Sequence, residues 1–394
     1  MRYWQNAEAR SHKCQPAKLH ARAPQLIRDR GWAWPDPTLG VAKSELIART
    51  LARLRHSSAI GQTPQHLRLD QVIESALLQE FLADLDPSLA EVLRNCVAIA
   101  VGRSGRPHGT ETYFPDEGVI VFLDGAMLLM FADILGHAMS LVSATEQANE
   151  TRLSVARPAA ATIRAAASII WSFRQPNRGF NLDNLPVIGT DPYRGEPAFG
   201  KFLWFGERFL LGHELWHALM DLGQASEAPG VRDLIRGSVE DIPETILEDW
   251  VVELSADIGA LNLVAMATPQ PERKPVAVTA CLIAMAFLHL LQRTVSLDPQ
   301  VPYPLNPDDV AHHFQQLRTH PPAEMRIHAL EQAAAHLNAD IRLGTVYRHA
   351  IDAIAIGLDD LSSGCCIAPI GTNAWCGARR GPTGWFCQDH GSPE

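Results

Sequence analysis

Positive charge is scarce in this chain. Its 34 lysines and arginines face 44 aspartates and glutamates, a net charge of −10. That balance argues against a general binder of nucleic acid. Long unbroken apolar runs are scarce as well. The stretch GVIVFLDGAMLLMFADIL is interrupted by Asp124 and Asp133, so it does not read as a bilayer span. One run, PVAVTACLIAMAFLHLLQ at 275–292, has no formal charge and lies between Arg273-Lys274 and Arg293. Its length is borderline for a span. Its small residues and His289 suit a buried helix of a large domain, so no stable membrane insertion is expected. The first 40 residues lean basic but lack the apolar core of a secretory signal. Cysteine is sparse over most of the chain. Cys14, Cys96 and Cys281 are scattered, and the total of seven is odd. This pattern argues for a reducing compartment, and the expectation is a cytoplasmic protein.

What the chain does have is apolar residue enough for a core. Hydrophobic residues make up 46% and charged residues 20%, a globular rather than a disordered balance. At 394 residues it can form one large domain or two ordinary ones. No internal repeat is visible. The periodicity predicts a mostly helical α+β protein in three parts: an arm and helix over 1–65, a main domain over 66–345, and a helix with a Cys/His-rich tail over 346–394. Helical spacing covers 43–58, 69–85, 125–143, 156–173, 203–222, 241–267, 275–295 and, in two pieces broken at Pro321-Pro322, 308–337. CVAIAVG (96–102) and GVIVFL (118–123) read as buried strands. RSGRPHGTETY (103–113) reads as a glycine-rich loop without the lysine of a phosphate-binding loop. The Gly-, Pro- and Asn-rich end of 144–205 reads as a long irregular loop, so this stretch is marked as an insertion.

The chemistry concentrates in GERFLLGHELWHALMDLG, residues 206–223. A helix turns once every 3.6 residues, so His213 and His217 project from one face and can reach one metal ion. Glu214 lies beside that face, where a general base is needed. A zinc ion acidifies a water molecule, and the glutamate takes its proton as it attacks a carbonyl. The flanking residues are apolar, so the polar trio faces inward, and burying polar groups without a partner is costly. The bland alternative is two ordinary helix histidines and an exposed glutamate.

A catalytic zinc needs a third protein ligand. A histidine six residues after His217 would supply it in one common arrangement, but Gly223 stands there. The other arrangement takes a glutamate from a downstream helix, and ILEDWVVELSADIGALNLV (246–264) offers Glu253 and Asp257 on one face. Glu253 can coordinate the ion. Asp257 can hold a ligand histidine by its outer nitrogen. Asp249, one turn earlier, is the competing ligand.

HELWH followed by ELSAD resembles the gluzincin metallopeptidases, in particular the group containing HtpX and the CAAX prenyl proteases, whose pattern is HExxH, then ExxxD, then HPxxxxRI. THPPAEMRIHAL (319–330) is similar to the last element, with His320, Pro321, Arg326 and Ile327 in place. FPDEGVIVFLDGAMLLMF resembles the strand and helix that precede the family's active-site helix. The matches cover about 115–130 and 206–330. The resemblance implies a zincin-like core with a small β-sheet and an endopeptidase acting on a protein or peptide. It implies zinc on His213, His217 and Glu253, with Glu214 as base and Asp257 orienting a histidine. Arg326 and His320 would lie near the site, steadying an oxyanion or the Asp257 region. An ion pair between Arg326 and a carboxylate such as Asp257 is the structural alternative. Strand 118–123 would be the sheet edge along which a substrate pairs. The chain lacks the clear spans of the membrane-embedded members. Lit-type phage-exclusion peptidases, which are soluble, carry HExxH and cleave a translation factor on a phage trigger, are another relative to weigh. An inactive zinc-holding scaffold and a partner-binding protein are the rivals from other classes.

The tail carries a second constellation. In CCIAPIGTNAWCGARRGPTGWFCQDHG, residues 365–391, Cys366, Cys376, Cys387 and His390 could hold a structural zinc, the last two with C-x-x-H spacing. Free thiols and a disulfide are the alternatives, and Cys365 could stand in for Cys366.

Overall fold

The computed structural model describes residues 78–102, 109–115, 117–147, 197–239, 242–268, 270–295, 320–337, 342–362, 369–371 and 374–375, together with Cys14, Lys18, Leu19, Arg22 and Leu26. The predicted helices over 43–58, 156–173 and 308–319 lie outside the described residues, as does most of the 144–205 insertion. The architecture is mostly helical with a small three-stranded sheet.

Two short helices, α1 (Gln79–Asp84) and α2 (Pro87–Cys96), lead into β1 (Val97–Gly102). Asp86 caps α2 by accepting a hydrogen bond from the Ser88 N–H, and Pro87 occupies the first turn. β2 (Thr110–Phe114) and β3 (Gly118–Asp124) complete the sheet. β3 runs directly into α3 (Gly125–Gln147). Then come α4 (Pro197–Asp221), α5 (Val231–Ser238), α6 (Glu244–Met266), α7 (Lys274–Val295), α8 (Ala323–His336) and α9 (Arg342–Ser362). In the tail, β4 (Pro369–Gly371) pairs antiparallel with β5 (Ala374–Trp375).

The sheet order corrects one expectation. β3 lies in the middle, parallel to β1 on one side and antiparallel to β2 on the other. Strand 118–123 is therefore not an edge; among the described residues the edge beside the helices is β2. β3 is continuously apolar because both of its faces are covered. Val119, Val121 and Leu123 belong to the main core, whereas Ile120 and Phe122 pack with Ala98, Ala100 and Leu19 in a second cluster. β2 escaped the sequence reading because TETYF is polar and follows a glycine-rich loop. Pairing with β3 makes it a strand, as neighbours usually decide for short segments.

Leu19 comes from the arm, which the sequence marks as polar and punctuated by proline. It is fully buried, and Arg22 pairs with Glu117 at 2.8 Å while lying over the Phe114 ring. Cys14 and Cys96, taken as scattered cysteines in the sequence, are joined by a disulfide across 82 residues of sequence. They sit far apart in the chain, but the docking of the arm on the sheet brings them together.

α4 is apolar all round because it runs through the core, packed against α6, α7 and the sheet. α6 approaches it so closely that a Cβ on Gly259 would lie 1.9 Å from the Trp216 ring; only glycine permits this contact. α7 holds the run 275–292. It is the one described helix long and apolar enough to cross a membrane, and 72% of its apolar window is buried inside the protein. It packs against α4, α8 and α9 as a core helix. α9 crosses the expected boundary at 345/346, and its Tyr347, Ala350, Ile351 and Ile354 join the main core.

Candidate metal centre

α4 and α6 position the candidate ligands, and their close packing sets the distances. His213 and His217 are one turn apart on α4, with their Nε2 atoms 3.2 Å apart. Glu253 on α6 brings Oε2 to 3.5 Å from His213 Nε2 and Oε1 to 3.6 Å from His217 Nε2. All three donor atoms lie within 4.8 Å of one another. Asp249, the competing ligand, is on the exposed side of α6.

Asp257, one turn beyond Glu253, is fully buried and places Oδ1 3.0 Å from His213 Nδ1. That leaves His213 Nε2 free to face the shared centre. α8 supplies the counter-charge. The Arg326 guanidinium donates from Nε and Nη2 to the two Asp257 oxygens at 2.7 and 2.8 Å, and Nη2 stands 3.8 Å from Glu253. The ion-pair alternative for Arg326 is thus the arrangement found. His320, just before α8, sets Nε2 3.6 Å from Glu253 Oε1 and keeps part of its side chain exposed. Residues 36 to 113 positions apart in the sequence meet here because α4, α6 and α8 pack as one group.

Glu214 points to the neighbouring side, toward the sheet. It is 7% exposed. A Cβ on Gly109, at the head of β2, would fall 2.3 Å from its carboxylate. Gly109 therefore gives the Glu214 side chain its room.

The electrostatics follow the geometry. Burial pushes the Glu214 carboxyl up to about 8, with His213 opposing and Glu111 and Glu253 adding to the rise. Burial works against charge on His213, yet Asp257 and Glu253 overcome it and raise the imidazole to about 10. For His217 burial outweighs the attraction of Glu253 and lowers the imidazole to about 4. Burial also opposes charge on Glu253, but His320, His213 and His217 hold it well below the usual carboxylate range. Asp257 likewise is lowered against burial, chiefly by Arg326.

The residues fit a zinc ion. Two ligands about 2.1 Å from a tetrahedral ion stand roughly 3.4 Å apart, close to the 3.2, 3.5 and 3.6 Å found here. Glu253 Oε2 is buried and has no hydrogen-bond partner, an arrangement that a cation at the centre would relieve. Two imidazoles and one carboxylate are a common catalytic zinc set.

Metal uptake is expected to depend on pH. In the metal-free protein His213 holds its proton up to about 10, and zinc must displace it. Affinity for zinc should therefore fall about tenfold for each unit that pH drops below 8, one proton per ion. Competition against a fluorescent chelator at pH 6, 7 and 8 measures this; a flat profile would contradict it.

Sequence reasoning missed Glu111. It lies on β2, is half-buried, and has its pKa raised by burial and by Asp221. No periodic signal marked it, because TETY does not alternate apolar with polar residues. Cys366, Cys376, Cys387 and His390 lie outside the described residues. The nearby β4–β5 hairpin is described only in its backbone. The chain matches no protein-family model, no curated protein and no solved structure.

Proposed function

We propose that this protein is a zinc-dependent endopeptidase of zincin-like architecture, acting on a protein or peptide substrate. The observation that carries this reading is the buried His213–His217–Glu253 trio with Glu214 on the adjoining side. When bound, zinc would make water acidic enough to be deprotonated near neutral pH and would polarise the carbonyl under attack. The chain's own residues do the rest. His213, His217 and Glu253 hold the ion. Asp257 fixes the ring of His213, and Arg326 holds Asp257 charged. Glu214 takes a proton from the attacking water and returns it to the leaving amine. His320 stands beside Glu253 and can donate a hydrogen bond to developing negative charge. The substrate adds as a further strand to the open edge of β2, with its carbonyl brought beside Glu214.

The test is metal and activity together. Protein purified without chelator should carry zinc, and His213→Ala should lose one ion per chain. Cleavage of a denatured protein mixture should stop on chelation and return with zinc. Folded protein that takes up no zinc at the trio would overturn the reading.

A further inference from the structure

Register places Glu111 on the site face of the sheet edge. Glu111 stands opposite Val121, and Tyr113 opposite Val119. Directly opposed residues share a face, and both valines belong to the core that contains α4. Phe114, one residue out of step with Tyr113, packs on the other face with the Leu19 cluster. Gly109, two residues before Glu111, abuts the carboxylate of Glu214. Two residues advance a strand by about 6.7 Å, so Glu111 follows Glu214 along β2. Asp221 continues the stripe of His213 and His217 by one more helical turn. Glu111 lies close enough to Asp221, Glu253 and His213 to feel all three electrostatically.

Among the described residues the charges around this space do not balance. Asp257 is matched by Arg326, and Glu253 faces the ion site. No lysine or arginine among the described residues pairs with Glu111 or Asp221. Glu214 is more than nine-tenths buried and accepts no hydrogen bond from any described residue. The strand that carries Glu111 has an open outer side among the described residues. A peptide added there presents every second side chain to the face of Glu111 and Tyr113. Tyr113 is 39% exposed, the one large apolar side chain so exposed among the described residues.

We infer that Glu111, backed by Asp221, makes this site prefer a substrate with a positive charge close to the scissile bond. The charge is carried by a lysine or arginine side chain or by a free α-amino group. The inference rests on the peptidase reading and names its substrate class. The carboxylate of Glu111 receives the cation, and Tyr113 covers the side chain two residues away.

Zinc-loaded wild type and Glu111→Gln should be given a peptide library that retains internal lysine and arginine, with products read by mass spectrometry. Wild type is expected to cleave sites with lysine or arginine at one fixed position about tenfold over chance, the gain expected of a charge-assisted contact. Glu111→Gln should lose that enrichment but still cleave neutral sites, and Glu111→Lys should favour acidic residues there. If the α-amino group is the cation, cleavage will cluster at peptide N-termini and stop on N-acetylation. A binding measurement removes dependence on turnover. The zinc-loaded Glu214→Gln protein should bind a lysine peptide about tenfold more tightly than its glutamine counterpart, and adding Glu111→Gln should abolish the difference. Cleavage without charge preference, or a preference unchanged in Glu111→Gln, overturns the inference and leaves the peptidase reading standing. No cleavage of any peptide by zinc-loaded wild type overturns both.

Discussion

Glu214→Gln should abolish peptide hydrolysis, lowering the rate by about a thousandfold or more, while zinc content stays the same. Glutamine keeps the shape of the side chain but cannot accept the proton of the attacking water, and a positioned general base typically contributes on the order of 10²–10⁴ in rate. The proposed ion site is built from His213, His217 and Glu253, none of which the substitution touches. Turnover of a cleaved peptide and metal content per chain, measured on the same samples, check both halves. A variant that binds zinc and cleaves at the wild-type rate would remove Glu214 from the chemistry.

The same substitution carries a stability signature with a definite sign. Burial raises the folded-state pKa of Glu214 from an ordinary 4.5 to about 8. The native metal-free protein therefore keeps its proton where the unfolded chain has lost it. The stability linked to that proton is fully present below about 4.5 and is lost as pH rises through about 8. Glutamine does not titrate. Metal-free Glu214→Gln should thus melt several degrees above wild type at pH 9, with the gap closing toward pH 5.

The largest loss of stability should come from breaking the Asp257–Arg326 pair from one side. Asp257 is fully buried and Arg326 is 3% exposed. Arg326→Leu leaves the Asp257 carboxylate in the core with only His213 beside it, and Asp257→Leu leaves the guanidinium with only Glu253, 3.8 Å away. Each should cost about 3–5 kcal/mol, the range for a buried pair losing one partner. The double variant should recover most of that, because an apolar pair avoids the cost of desolvating two charges. Urea unfolding of the four proteins measures the coupling. Zinc affinity separates structure from positioning. The double variant, though stable, loses the oxygen 3.0 Å from His213 Nδ1, and should bind zinc about 10–100-fold more weakly. If its affinity equals that of wild type, Asp257 does not orient the ligand.

Much of the centre could be read in the linear order. Two histidines four apart share a helix face whatever surrounds them, because the helical repeat is a local property. An apolar setting for Glu214, Glu253 and Asp257 announces burial, and buried acids require partners. The long helices were legible for the same reason, since their periodicity repeats over many residues. The sequence by itself therefore determined a mostly helical α+β chain and the set His213, Glu214, His217, Glu253, Asp257.

What only the tertiary structure decided depends on contacts between distant segments. Nothing local to TETYF makes it a strand; β3 does, through the register that opposes Glu111 to Val121. The choice of β2 rather than β3 as the edge follows from which strand pairs twice, a property of the sheet and not of either sequence. Arg326 could face the reaction or a carboxylate until the packing of α8 on α6 set it on Asp257. How the arm docks was not legible because a single leucine and a single cysteine leave no periodic signal. Their burial and their bond arise only when the sheet offers Ala98, Phe122 and Cys96 as a surface. Periodicity is carried by neighbours in the chain, whereas strand pairing, ion pairing and docking are carried by neighbours in space.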